Sequence, residues 1–138
     1  MRAGKDRKIE LIKKVPLFSR LSASGLKEVA SVADEIDLPE GKTLTKEGER
    51  GREFFVLLEG SADVRQKGAR IRTLGQGDFL GEIALVSKSP RTATVTTTEQ
   101  TRALVITDQA FGALLRRSPQ IQTGIVEALA DRLAPELL

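Results

Sequence analysis

Glu82 and Arg91 are the residues of this chain whose types and spacing suggest chemistry. Glu82 follows Gly81 at the start of a short apolar turn that continues through Ile83, Ala84, Leu85 and Val86. Arg91 comes nine residues after Glu82, at the head of a β-branched run. A helical turn starting at Gly81-Glu82 leaves backbone N–H groups without intrahelical partners, and such groups suit an anion. Arginine is permanently charged, and its planar fork matches phosphate oxygens better than the point charge of a lysine. A turn start and Arg91 facing one another would hold a phosphate between them. Glu82 would repel that phosphate, so the partner expected for its carboxylate is a neutral hydroxyl. A phosphate and a hydroxyl on one ligand suggest a nucleotide.

The full stretch reads Phe79-Leu80-Gly81-Glu82-Ile83-Ala84-Leu85-Val86, then Ser87-Lys88-Ser89, then Pro90-Arg91-Thr92-Ala93-Thr94-Val95. It resembles the phosphate-binding cassette of cyclic-nucleotide-binding domains. Those occur in catabolite-activator-type regulators, cyclic-nucleotide-dependent kinases and cyclic-nucleotide-gated channels. The family pattern is Phe, Gly-Glu, a small apolar turn ending in Ala-Leu, a variable loop, Pro-Arg, a small residue and Ala-Thr-Val, and every position is matched. The resemblance extends over roughly residues 10–133.

The resemblance implies that Arg91 meets the exocyclic oxygens of a cyclic phosphate. It implies that Glu82 accepts from the ribose 2′-hydroxyl, with the Gly81 backbone close by, and that the Ala84 N–H points at the phosphate. Thr92 would lie near the phosphate by its backbone and hydroxyl; a threonine there also reaches the guanine amino group in members that prefer cGMP. Val64 and Ile83 are expected to line the base or ribose, and Leu133 to cap the purine. Leu85 and Phe111 resemble the cassette leucine and hinge phenylalanine that couple occupancy to the C-terminal helices. The expected ligand is cAMP, with cGMP as the alternative, and no metal or other cofactor is implied.

Composition narrows the rivals. The chain has 138 residues, 40% of them apolar, enough for one domain with a core. It contains no cysteine and no histidine. That removes the thiol nucleophile, the zinc-thiolate site, the commonest general base and the commonest metal ligand. An enzyme on a jelly roll is therefore disfavoured, and the chain reads as a binding module. The absence of cysteine fits a reducing cytoplasm. The longest apolar run, Phe54 to Leu58, is far too short to cross a bilayer, and no apolar stretch of signal-peptide type follows the charged start.

The net charge of +3 is unevenly placed. Residues 1–14 carry Arg2, Lys5, Arg7, Lys8, Lys13 and Lys14 against Asp6 and Glu10, a net +4, and the remainder is −1. This basic segment is expected to be a solvated helix or tail, with nucleic acid, anionic lipid or a protein partner as alternatives.

The elements that must position the site follow from periodicity. Ile9, Leu11 and Ile12 form a short helical pattern stopped at Pro16. Ser22 is suited to cap a second helix, with Leu21 and Leu26 at staple spacing. Short strands are expected at Glu35–Leu38, Lys42–Lys46, Glu53–Leu58, Ser61–Gln66, Ala69–Leu74, Arg91–Thr98 and Thr101–Thr107, separated by Gly- and Pro-containing turns. Asp108 is suited to cap a helix through Arg117. Ser118-Pro119 starts the last helix, which Pro135 is expected to end. Gly124 inside that helix costs on the order of 1 kcal/mol against alanine.

The fold class expected is mainly β with flanking helices. It is an antiparallel β jelly roll (double-stranded β-helix) with an N-terminal helical segment, a short phosphate-binding helix and two C-terminal helices. The expected organisation is a basic segment over 1–14, the binding domain over 15–133 and a tail over 134–138. The partners expected are a cyclic nucleotide and a protein or fused effector; a DNA-recognition domain and a membrane span are not. The remaining rivals are a nucleotide-free scaffold of the same fold and a piece of a DNA-binding regulator.

Overall fold

The computed structural model describes residues 4–137, with side chains through Leu133. Arg2 of the basic segment and Leu138 of the expected tail lie outside them. In chain order the elements are α1 (Lys5–Lys13), a 3₁₀ turn (Pro16–Phe18), α2 (Ala23–Ser31), β1 (Asp34–Leu38), β2 (Thr43–Thr45), β3 (Glu53–Glu59), β4 (Ala62–Gln66), β5 (Ala69–Leu74) and β6 (Phe79–Leu80). A second 3₁₀ turn, Glu82–Leu85, is the cassette turn. After it come β7 (Thr94–Thr97), β8 (Thr101–Thr107), α3 (Asp108–Arg117) and α4 (Pro119–Leu137).

The strands form two four-stranded antiparallel sheets, ordered β1-β8-β3-β6 and β2-β7-β4-β5. Together they make the jelly roll, with helices packed against the first sheet. The apolar run of β3 shows why it does not alternate. Phe54, Val56 and Leu58 join the large core under the helices, whereas Leu57 joins a smaller core inside the roll. A strand buried on both faces reads as a continuous apolar segment.

The larger core gathers Phe18, Phe54 and Phe111 with Leu104, Ile106, Leu114 and Ile121. Phe18 meets Phe54 edge-on at a centroid distance of 5.9 Å and Phe111 at 5.8 Å. Leu11 and Ile12 of α1 are buried in the same core. The basic segment is therefore docked by its apolar face, and the Lys8 ammonium lies 3.5 Å from the Ala33 carbonyl. The hydroxyl of Ser22 caps α2 by accepting from the Gly25 N–H at 3.1 Å. Among the described residues no helix is long and apolar enough to cross a membrane.

Ends of β1, β2, β3 and β4 and the end of β7 shift by one residue from expectation, and four further differences stand out. β7 begins at Thr94, because Arg91 is held instead by the loop between β2 and β3: its N–H donates to the Glu49 carbonyl at 2.7 Å and its carbonyl accepts from the Gly48 N–H at 2.9 Å. α3 is capped by Thr107, whose hydroxyl accepts from the Ala110 N–H, and Asp108 is its first residue. α4 continues through Pro135 to Leu137, so the proline does not end the helix as expected. Phe79–Leu80 pairs with Val56 and Phe55 as a two-residue strand.

Gly124 has a packing role. A Cβ at that position would stand 2.6 Å from Leu21 Cδ2 and 3.4 Å from the Arg20 carbonyl oxygen, so bare backbone lets α4 lie on the Arg20–Leu21 segment.

Candidate functional site

The site is built where the cassette turn, the Pro90–Ala93 segment and the inner face of β4, β5 and β7 converge. Two adjoining cavities open there. One, of about 350 Å³, is lined by Val64, Arg72, Leu74, Leu80 and Val95 together with Gly81, Glu82, Arg91 and Thr92. The other, of about 300 Å³, is lined by Gly81, Glu82, Ile83, Ala84, Ser89, Pro90, Arg91 and Thr92. Each lies at the lower end of the range for small-molecule sites, about 300–1,000 Å³. A roomier cleft of about 650 Å³ lies between α2 and α4. Its one lining cation, Arg20, is already engaged by Asp131, so that cleft offers an anion little.

Arg91 is the centre of the arrangement. Its guanidinium donates to the Glu53 carbonyl and crosses the backbone at two glycines. A Cβ on Gly51 would sit 2.2 Å from Arg91 Nε, and one on Gly81 would sit 2.2 Å from Nη1. Gly81 also has φ +81°, a left-handed conformation that only glycine adopts readily. Burial lowers the Arg91 pKa from its ordinary value, with the Glu53 charge pulling the other way. Among the described residues no carboxylate comes within ion-pair distance of Arg91. A half-buried guanidinium with no carboxylate at ion-pair distance, facing a cavity, has the chemistry that suits an anion.

Glu82 opens the cassette turn and lines both cavities. Its Oε1 accepts from Nη2 of Arg132 on α4 at 3.1 Å. The Ala84 N–H donates within the turn, to the Gly81 carbonyl at 3.0 Å. Val64 stands on β4 opposite Arg72 on β5 and Val95 on β7, forming the apolar floor of the larger cavity. Leu85 lies behind the turn in the same buried core as Phe111.

The structure thus brings Gly81, Glu82, Ile83, Ala84, Arg91, Thr92 and Val64 to one place. Leu133 lines neither cavity and is half exposed on α4. Sequence reading missed Gly51, the Glu53 carbonyl, Arg72 and Arg132. Gly51 ends a glycine-flanked loop before β3, which is a readable signal for close approach. Arg72 lies on the exposed edge strand β5, next to Val64 in register, and only the hairpin register reveals it. Nothing local marks Arg132.

The two-glycine slot yields a prediction. Gly51→Ala forces the Arg91 guanidinium out of place, and the displaced atoms belong to a flexible side chain rather than to backbone. The melting temperature should stay near that of the wild type while affinity for a phosphate-bearing ligand falls about 10-fold, some 1.4 kcal/mol. Paired thermal melts and titration calorimetry check this. A variant that binds as tightly as the wild type would mean that the slot does not position Arg91.

Comparison with known proteins agrees with the geometry. Residues 35–118 match the sequence profile of the cyclic nucleotide-binding domain. A cAMP-dependent protein kinase regulatory subunit of Mycosarcoma maydis is 42% identical over 113 residues, covering 73% of this chain and 21% of that protein. A cyclic nucleotide-gated potassium channel of Rhizobium etli is 32% identical over 123 residues, covering 89% of this chain and 34% of the channel. The chain therefore spans between about a fifth and a third of the length of these relatives. Among solved structures, the N-terminal domain of a transcriptional regulator from Streptomyces coelicolor superposes with a TM-score of 0.81 at 26% identity, covering 91% of this chain and 94% of that one. The regulatory domain of Toxoplasma gondii PKA, crystallised with cAMP, shares the fold at a TM-score of 0.71 and 24% identity, over 80% of this chain and 44% of that one. With the profile matched across both sheets and the cassette between them, this chain belongs to the cyclic nucleotide-binding domain family.

Proposed function

We propose that the domain binds a 3′,5′-cyclic nucleotide, with its phosphate on Arg91 and the cassette turn, and acts as a regulatory sensor rather than as an enzyme. The observation that carries this reading is the half-buried, unpaired guanidinium of Arg91 in its glycine slot. A cyclic phosphodiester carries one negative charge, which one arginine matches, and it presents the ribose 2′-hydroxyl that a carboxylate such as Glu82 can accept. Gly81, Ile83, Ala84 and Thr92 would surround the phosphate and ribose, Val64 would support the base, and Leu133 would cap it once α4 closes over the cavity. Occupancy would then reach a fused effector or a partner protein through α3 and α4, by way of Leu85 and Phe111. The binding unit is taken as residues 15–133.

The base is read as adenine, on the likeness to the kinase regulatory subunit of Mycosarcoma maydis. A second reading, guanine, is favoured by Arg72. It lines the larger cavity, as does Thr92, and an arginine fork can donate to guanine O6 and N7 together. Calorimetric titration with cAMP, cGMP and 5′-AMP tests both. One cyclic nucleotide should bind per chain, with 5′-AMP much weaker, and ligand should raise the melting temperature by mass action. No heat at millimolar cyclic nucleotide would favour the scaffold rival. If guanine is the base, Arg72→Ala should lower cGMP affinity about 10-fold or more while sparing cAMP, as expected for loss of a bidentate pair worth about 1–3 kcal/mol.

A further inference from the structure

Resting on that reading of the site, we infer that Ser89 is a phosphorylation site whose phosphoryl group takes the place of the ligand phosphate on Arg91. The cassette loop thereby carries a competitor for its own anion site.

Ser89 has what a modified serine needs. It is exposed, and Ser87–Ser89 belongs to no helix or strand, so the segment can enter a kinase cleft without unfolding an element. Pro90 follows it, and a residue before proline is held extended. That is the shape in which a proline-directed protein kinase takes its substrate. Among the described residues, the one hydrogen-bond partner of the Ser89 hydroxyl is the Ser87 hydroxyl, at 2.7 Å. Esterifying Ser89 therefore breaks nothing that holds the fold. Thr92 is also exposed, but its segment is tied down, since the Thr92 and Ala93 carbonyls accept from the side chains of Gln66 and Thr45.

A phosphate on Ser89 meets the anion site directly. Ser89 lines the smaller cavity together with Gly81, Ala84 and Arg91. Two residues of chain span at most about 7 Å, within the joint reach of a phosphoserine and an arginine. The Arg91 guanidinium is half-buried and, among the described residues, has no carboxylate at ion-pair distance. Lys88 adds a second positive charge to the same loop. In the transfer step, Ser89 Oγ attacks the γ-phosphorus of a nucleoside triphosphate. The bond from that phosphorus to the β-phosphate oxygen breaks, the nucleoside diphosphate leaves, and the hydroxyl proton passes to the kinase's general base. The product carries a charge of about −1.5 to −2 at pH 7. Tethered two residues from Arg91, it competes at an effective concentration on the order of millimolar. One arginine cannot serve both this group and a second anion.

The test encodes phosphoserine genetically in place of Ser89, and separately in place of Ser87, in the whole chain. Thermal melts check that both proteins fold. Titration calorimetry with cAMP and cGMP should show affinity lowered about 10-fold or more by the phosphate at position 89. The phosphate at position 87, which lines neither cavity beside Arg91, should cost less than about 3-fold, as a screened charge in solvent does. Phosphorus NMR reads the contact itself. The resonance of the phosphoserine at position 89 should shift when Arg91→Ala is added, and saturating cAMP should move it the same way in the chain that keeps Arg91. Incubating the unmodified protein with a proline-directed kinase and ATP should place phosphate on Ser89, mapped by peptide mass spectrometry, and Ser89→Ala should abolish that signal. No phosphate on Ser89 would overturn the modification site. Equal losses from the two phosphoserines, or a phosphorus resonance indifferent to Arg91→Ala, would overturn the occupation of Arg91. An unmodified protein that binds no cyclic nucleotide overturns the reading of the site and the competition with it. The phosphorus resonance needs no nucleotide, so it still decides whether the Ser89 phosphate sits on Arg91, and the two failures are distinguishable.

Discussion

Replacing Arg91 by alanine should lower cyclic nucleotide affinity by roughly 30-fold or more, corresponding to about 2–5 kcal/mol for truncating one partner of a buried charge pair. The expected size follows from burial. The guanidinium has already shed part of its hydration, as its lowered pKa records, and it has no carboxylate partner to leave behind. Ligand phosphate would be its counter-ion, so removing the side chain strands an anion in a cavity that still contains Glu82. The free protein should be little affected, because the main loss within it is one hydrogen bond to the Glu53 carbonyl. Calorimetry and ligand-dependent melting read the two effects separately. If Arg91→Ala bound like the wild type, the phosphate would have to sit elsewhere. A 2′-deoxy analogue that lost nothing would likewise remove Glu82 from the ribose.

Phe111→Ala should be the most damaging change to the fold. The ring is fully buried between α3 and the sheet, 5.8 Å from Phe18. Truncating such a ring costs about 3–5 kcal/mol, a large part of the roughly 5–15 kcal/mol that holds a domain together. Phe111→Leu keeps most of the volume and is the practical probe of coupling. If phosphate draws the cassette turn inward, Leu85 leaves its neighbours, and a close-packed interior does not leave the gap empty. Phe111 would fill it by carrying α3, and α4 after it. Phe111→Leu should then bind ligand with near-normal affinity while the response of α4 to ligand shrinks. NMR or hydrogen exchange on α4 and on the Arg91 segment follows both ends. An α4 that still responds as in the wild type would rule out this hinge.

What could be read from the sequence was whatever has a local signature. The strand hairpins, the Ser22 cap, the buried β3 run and the cassette turn each announce themselves within a few residues, by turn glycines, a capping hydroxyl or periodicity. Phe79–Leu80 is too short for any period to show, and it exists because β3 has an edge to pair with. The start of β7 was misplaced for a related reason. Arg91–Ala93 has the composition of a strand, but the Gly48–Glu49 loop takes both backbone hydrogen bonds of Arg91, and the Thr92 and Ala93 carbonyls accept from the side chains of Gln66 and Thr45. Asp108 and Thr107 are both competent caps, and only the geometry of the strand end chooses between them. At the site, the residues inside the cassette were visible as one motif. Arg132 was not, because fifty residues separate it from Glu82 and only the docking of α4 joins them.

Where α4 lies on the Arg20–Leu21 segment, Gly124 would give the helix a fulcrum if it tilts on ligand binding. On the proposed movement of α4, the close approach to Leu21 would favour tilting about that point over sliding past it. Arg132 lies eight residues beyond, about 12 Å along the axis, and Pro119 lies five residues before, about 7.5 Å away. A tilt of about 10° would move the Arg132 end by about 2 Å and the α3–α4 elbow by about 1.3 Å in the opposite direction. The mechanical advantage, near 1.6 on that rise per residue, is set by where one glycine falls in the helix. If α4 does move with occupancy, moving that glycine by a turn would change the gain without altering any residue that lines the two cavities beside Arg91.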